Sequence, residues 1–160
     1  MGNITKDYAL TQRQFGGVPY GNKTVLQFTL KTNASGVMVD SDKSTAIAAN
    51  DVVRLGLLPA GTTLVDALTI VSDVGQTATT GKFGFAYVDG VDDTTVPQDA
   101  DYFHAALALD AQSRTRANNV AVVPVTLPKD AYLTMQNLVA AQDEAMRVDV
   151  FVDCIMTGTP

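Results

Sequence analysis

Residues 51–90 read DVVRLGLLPAGTTLVDALTIVSDVGQTATTGKFGFAYVDG, and this stretch decides the fold class. Val53, Leu55 and Leu57 alternate with Val52, Arg54 and Gly56, the period of two that a half-buried strand requires. Leu58-Pro59-Ala60-Gly61 then interrupts the pattern: proline fixes φ and glycine admits positive φ, so the chain reverses there. Thr62 to Ser72 is rich in β-branched residues and apolar on both alternations, Leu64, Leu68 and Ile70 against Val65, Ala67 and Val71, which predicts a strand covered on both sides. Beyond the polar tract Asp73–Thr80, the rings of Phe83, Phe85 and Tyr87 share one face. Gly84 and Ala86 keep the other face thin enough for close packing by another layer or subunit.

Working outward, Leu26, Phe28 and Leu30 alternate with Val25, Gln27, Thr29 and Lys31 in a second half-buried strand. Residues 33–50 carry Gly, Asn, Asp and Ser punctuation around Val37-Met38-Val39 and predict a loop with one short strand. Residues 1–20 show no sustained period and read as an extended N-terminal arm before a single domain over 21–160, the fold being expected to stand without the arm. On the other side, Pro97–Asp101 with an Asp cap predicts a short helix running into Tyr102–Leu109. Val120–Leu127 reads as a strand held to an edge by Pro124, and Ala131–Met135 as another. Helix formers in Gln136–Met146 suggest a turn or two of helix. Val148, Val150, Val152, Cys154 and Met156 point inward from a last strand. About seven to nine short strands without βαβ alternation, with at most one or two short helices, make an all-β antiparallel sandwich or jelly roll.

At 160 residues the chain suffices for one core, and 46% hydrophobic with 18% charged residues excludes the disordered class. The net charge of −6 opposes a nucleic-acid surface, which needs clustered Lys and Arg. That charge is uneven: Lys6, Arg13, Lys23 and Lys31 stand against Asp7 alone in residues 1–31, whereas Asp89–Asp110 holds six acids and no base. No run of 18 apolar residues exists to span a membrane, and the start lacks the pattern of a secretory signal, so synthesis in a reducing compartment is expected.

Chemistry is sparse. His104 is the only histidine, so imidazole-rich metal sites cannot form within one chain, and a packed His is the favoured reading. The single Cys154 lies mid-strand, where a thiol is buried and inert. Asp89, Asp92, Asp93, Asp99 and Asp101 lack EF-hand spacing and read as turn caps rather than Ca²⁺ ligands. These readings predict no catalytic, cofactor or metal residues and no enzymatic activity. A glycan-binding sandwich is the alternative on fold class alone, with Tyr87, Tyr102 and Tyr132 as stacking rings in a chain without Trp.

The segments DVVRLGLLPAGTTLVDALTIVSD, GKFGFAYVDG, DADYFHAA and RVDVFVDCI resemble the head-decoration, or cement, proteins of tailed bacteriophages over roughly Thr24–Ile155. Asn50 stands where that pattern has Gly, and Gln136–Met146 is longer than the pattern there. The resemblance implies a non-enzymatic virion protein made in the host bacterial cytoplasm. It implies binding to the major capsid protein on the capsid exterior as a homo-oligomer, a trimer or dimer, with no nucleic acid or membrane partner. A head fibre or tail component is the neighbouring alternative. Tyr8, Arg13, Phe15, Val18 and Tyr20 of the arm are the expected capsid or subunit contacts.

Overall fold

The structure, a computed structural model, describes residues 2–6 and 23–156. These form ten strands: β1 (Asn3–Thr5), β2 (Lys23–Lys31), β3 (Val52–Leu58), β4 (Thr62–Asp73), β5 (Thr80–Tyr87), β6 (Asp99–Ala108), β7 (Ser113–Arg116), β8 (Val125–Thr126), β9 (Ala131–Leu138) and β10 (Arg147–Met156). One sheet runs β1-β3-β9-β5-β6 and the other β2-β10-β4-β7, with β8 also on β4. The order β3-β9-β5-β6 facing β2-β10-β4-β7 is that of a jelly roll, so the all-β sandwich expected from periodicity is the observed fold. Pairing is antiparallel throughout the sheets except for β1, which runs parallel to β3.

The core fills from both sheets. Leu26, Phe28 and Leu30 of β2 and Val148, Val150, Val152, Cys154 and Met156 of β10 are buried as their alternation requires, and they face Phe83, Phe85 and Tyr87 of β5. Phe28 fits between the layers because Gly56 has no side chain: a Cβ there would stand 2.6 Å from the ring. Each buried Leu or Phe contributes roughly 1.5–3 kcal/mol on area grounds.

Several local expectations are corrected. Leu58–Gly61 does reverse the chain, yet it carries it from one sheet to the other instead of pairing β3 with β4. Register shifts between Arg54 and Gly56, and between Asp153 and Cys154 opposite β4, change the inward parity. The bulge puts Leu58 rather than Leu57 in the core, and β4 buries Thr62 and Leu64 and then Ala67, Thr69 and Val71. Its two apolar alternations therefore record a phase change on one covered face, with Val65 left 43% exposed. Pro97–Leu109 contains no helix; β6 occupies it, since burying Tyr102, Phe103, Leu107 and Leu109 against the sheet outweighs the helix propensity of its alanines. Gln136–Met146 continues β9 to Leu138 and then turns without helix. Only Val125–Thr126 of the 120–127 stretch is strand.

The first residues belong to the sandwich edge. Gly2 N–H donates to Asp51 Oδ1 at 2.9 Å, Thr5 N–H to Asp42 Oδ1 at 2.9 Å, and Ile4 is 2% exposed within the core. Residues 7–22 join β1 to β2.

The thin face of β5 has a structural cause. A Cβ on Gly84 would stand 2.0 Å from the Asp99 carbonyl oxygen and 2.5 Å from the Ala100 carbonyl carbon, because β6 crosses there. Both neighbours are backbone and cannot swing aside. Gly84→Ala is expected to lower stability by about 2 kcal/mol or more, read as a lower denaturation midpoint at unchanged m. An unchanged midpoint would mean that β6 does not pass over β5 at this distance.

Candidate interaction surfaces

The aromatic and titratable residues that a catalytic or glycan-binding reading would use are inside the sandwich. His104 is fully buried beneath the edge of Phe83, ring centroids 5.8 Å apart. Its Nδ1 faces Asn118 Oδ1 at 3.1 Å and its Nε2 faces Thr69 Oγ1 at 3.1 Å, so the neutral ring donates to the amide oxygen and accepts from the hydroxyl. Cys154 is buried, and desolvation with help from Asp153 pushes its thiol up to about 11, far from a thiolate nucleophile. Tyr87, Tyr102 and Tyr132 are 3%, 5% and 5% exposed, which removes them as a stacking platform. The Tyr87 hydroxyl donates to Val96 O and the Tyr102 hydroxyl to Val123 O.

The acidic stretch is a set of turn caps. Asp92 Oδ1 accepts from the N–H groups of Asp93 and Gln98, and Asp93 Oδ1 from those of Thr95 and Val96. Those bonds from Val96 and Thr95 hold the Asp93 carboxyl below its ordinary range. Asp89 is engaged by Lys129, whose Nζ lies 2.8 Å from it and also 4.6 Å from the centre of the Tyr87 ring. Asp99 is raised by burial and by the adjacent Asp101, whose N–H it accepts. Among the described residues no group of three or more His, Cys, Asp or Glu side chains is gathered as a metal site.

Surface chemistry is concentrated in three places. A cleft of about 340 Å³ opens between Thr95–Asp99 and Ala121–Val125 over Phe85 and Tyr102. On its 120–125 wall Val122 and Val125 pack against the core, while Val120 is 97% and Val123 69% exposed, the surface pattern of a contact region. On the outer face of the β2-β10-β4-β7 sheet, Arg116 bridges Asp66 and Asp153, and Arg147 and the Thr29 hydroxyl hold Asp149. Solvent screens these exposed arginines, so the pairs fix the face more than they stabilise it. The third place is the end of the sandwich where residues 46–51, 74–79 and 138–142 meet. Tyr8, Arg13, Phe15, Val18 and Tyr20 lie outside the described residues.

No protein-family model matches the chain, and no curated protein matches it. The fold is found in phage capsids. A chain in the capsid of Ralstonia phage GP4 superposes with a TM-score of 0.67 at 17% identity, covering 99% of this chain and 100% of that one. A chain of the cyanophage Pam1 capsid asymmetric unit gives a TM-score of 0.58 at 15% identity, covering 91% and 94%. At such identities the shared property is the fold.

Burial of His104 yields a pH signature. Desolvation lowers its pKa below the ordinary 6.5, against the opposing pull of Asn118 and Asp66. The unfolded chain therefore takes up this proton first as pH falls. The contribution of neutral His104 is present above about 6.5 and is lost as pH drops from there through the folded pKa, with a slope of at most about 1.4 kcal/mol per pH unit for one proton. Denaturant titrations between pH 5 and 8 should show this slope in the native chain and lose it in His104→Gln. An identical slope in both proteins would mean that His104 is not held neutral.

Proposed function

We propose that this chain is a structural protein of a bacteriophage virion that adds to the capsid exterior and stabilises it by binding major capsid protein subunits, as a homo-oligomer of two or three copies. The observation that carries this reading is the likeness, along nearly the whole length of both chains, to a chain from the capsid of Ralstonia phage GP4. The sequence resemblance to head-decoration proteins is in accord with it. So is the placement of His104 and Cys154, which serve packing inside the sandwich.

Physical considerations favour many modest contacts over one deep site. The exposed Val120 and Val123 and the end loops offer area without a closed pocket. Repetition over a lattice converts weak single contacts into avid attachment. Tyr8, Phe15 and Tyr20 supply rings and Arg13 a planar cation of the kind that dominates interface energies, and Val18 adds apolar area. Their assigned role is contact with the shell or with a neighbouring copy.

Shells of the source phage prepared without this chain provide the test. Added purified protein should bind them saturably. Phe15→Ala combined with Tyr20→Ala should weaken binding at least about tenfold while leaving the melting temperature unchanged, as loss of interface anchors would. No binding of the native chain would overturn the decoration reading, and undiminished binding of the double variant would overturn the role of these residues.

A further inference from the structure

The two ends of the sandwich solve the same backbone problem with different residues. At the end reached by Leu58, Tyr87 and Ala131, the positive-φ positions are glycines, Gly61 (φ 77°) and Gly90 (φ 70°). At the end reached by Val52, Thr80 and Leu138, Gly36 (φ 70°) packs against the Gln142 backbone, and three further positive-φ positions are not glycine: Asn50 (φ 67°), Ala78 (φ 64°) and Val139 (φ 75°). Asn tolerates this region, Ala less so, and a β-branched residue is a genuine outlier there. Val139 centres a three-residue turn closed by Ala140 N–H on Leu138 O at 3.0 Å, the rare strained form of that turn.

The strained tip is rigidly supported. Asn137, fully buried, donates from Nδ2 to Ala48 O and Ala140 O, and its Oδ1 accepts from Gln142 Nε2 at 2.9 Å. Gln142 Oε1 in turn accepts from Gln76 N–H at 3.0 Å, so the three loops form one unit. Val139 nevertheless is 70% exposed. Residues 46–51, 74–79 and 138–142 contain one charged side chain, Asp51, and its carboxylate is taken up by the N–H groups of Gly2 and Ala48. Exposed acids flank the patch at Asp110, Asp143 and Glu144. In a chain of net charge −6, a tip whose one charge is held by backbone N–H groups, with an acidic rim, has the layout of an interface centre.

We infer that this end, centred on Val139, is a docking surface whose partner is an apolar recess with a basic rim on a shell subunit. The inference rests on the decoration reading and names the contact it uses. A side chain stands at Val139 where glycine would relieve the backbone, because the valine fills the partner's recess.

The test exploits opposite signs. Val139→Gly should raise the melting temperature of the free protein by roughly 2–4 °C through relief of strain. The same variant should bind decoration-free shells about tenfold or more weakly. Val139→Asn, polar and tolerant of positive φ, should bind as weakly as the glycine variant, and raising salt should weaken native binding through the rim charges. A lower melting temperature in Val139→Gly would overturn the strain, and binding equal to the native chain would overturn the contact. Native protein that fails to bind shells would overturn the decoration reading and this inference with it.

Discussion

The sandwich depends on the position of its last strand. β10 lies between β2 and β4 and bonds to both along nearly its full length, from Arg147 opposite Lys31 and Asp73 to Ile155 opposite Lys23 and Thr63. Its inward side chains supply the middle of one wall of the core, so neither neighbour has a complete sheet until residues 147–156 arrive. The pairings with β2 link residues more than a hundred positions apart and those with β4 residues more than seventy apart, a topology in which loop closure precedes reward and folding is correspondingly slow. The other sheet repeats the arrangement with β9 between β3 and β5. Each sheet is thus locked by a strand from the C-terminal third of the chain.

That construction leaves the interior for packing and the periphery for contact. His104, Cys154 and the three central tyrosines are drawn inward, where they satisfy hydrogen bonds or fill space. What remains outside is an apolar run at 120–125, a charged outer sheet face, and an end with a single charged side chain, built on Asn137 and Gln142. Such an arrangement suits contact through shallow, repeated surfaces. This agrees with the capsid role proposed for it.

Much of the fold was legible from strict alternation. The inward residues of β2, β5 and β10 are those that period two selects, since each strand faces the core on one side without interruption. The errors share one physical origin: local pattern was overridden by register or by burial. In β4 and β3 a bulge shifts the phase, so Val65 and Leu57 read as core residues and are not. In β6, Ala105, Ala106 and Ala108 favour helix by propensity, whereas Tyr102, Phe103 and Leu107 find their burial only as a strand beside β5. The turn after β9 carries helix formers, yet Asn137 and Gln142 bind the backbone of other loops, a signal that no local pattern contains. The end proposed for docking was missed for the same reason. Positive φ at Val139 and Ala78 leaves no trace in composition, and only the departure of Asn50 from the glycine of the resembling pattern hinted at that end.

The place proposed for the chain is the outside of a phage shell. Cryo-electron microscopy of the virion that carries it tests this most directly. The account predicts that density fitted by this jelly roll stands above the major shell at local symmetry axes, with the 46–51, 74–79 and 138–142 end turned toward the capsid. Density for the chain confined to the tail, or absent from the particle, would contradict it.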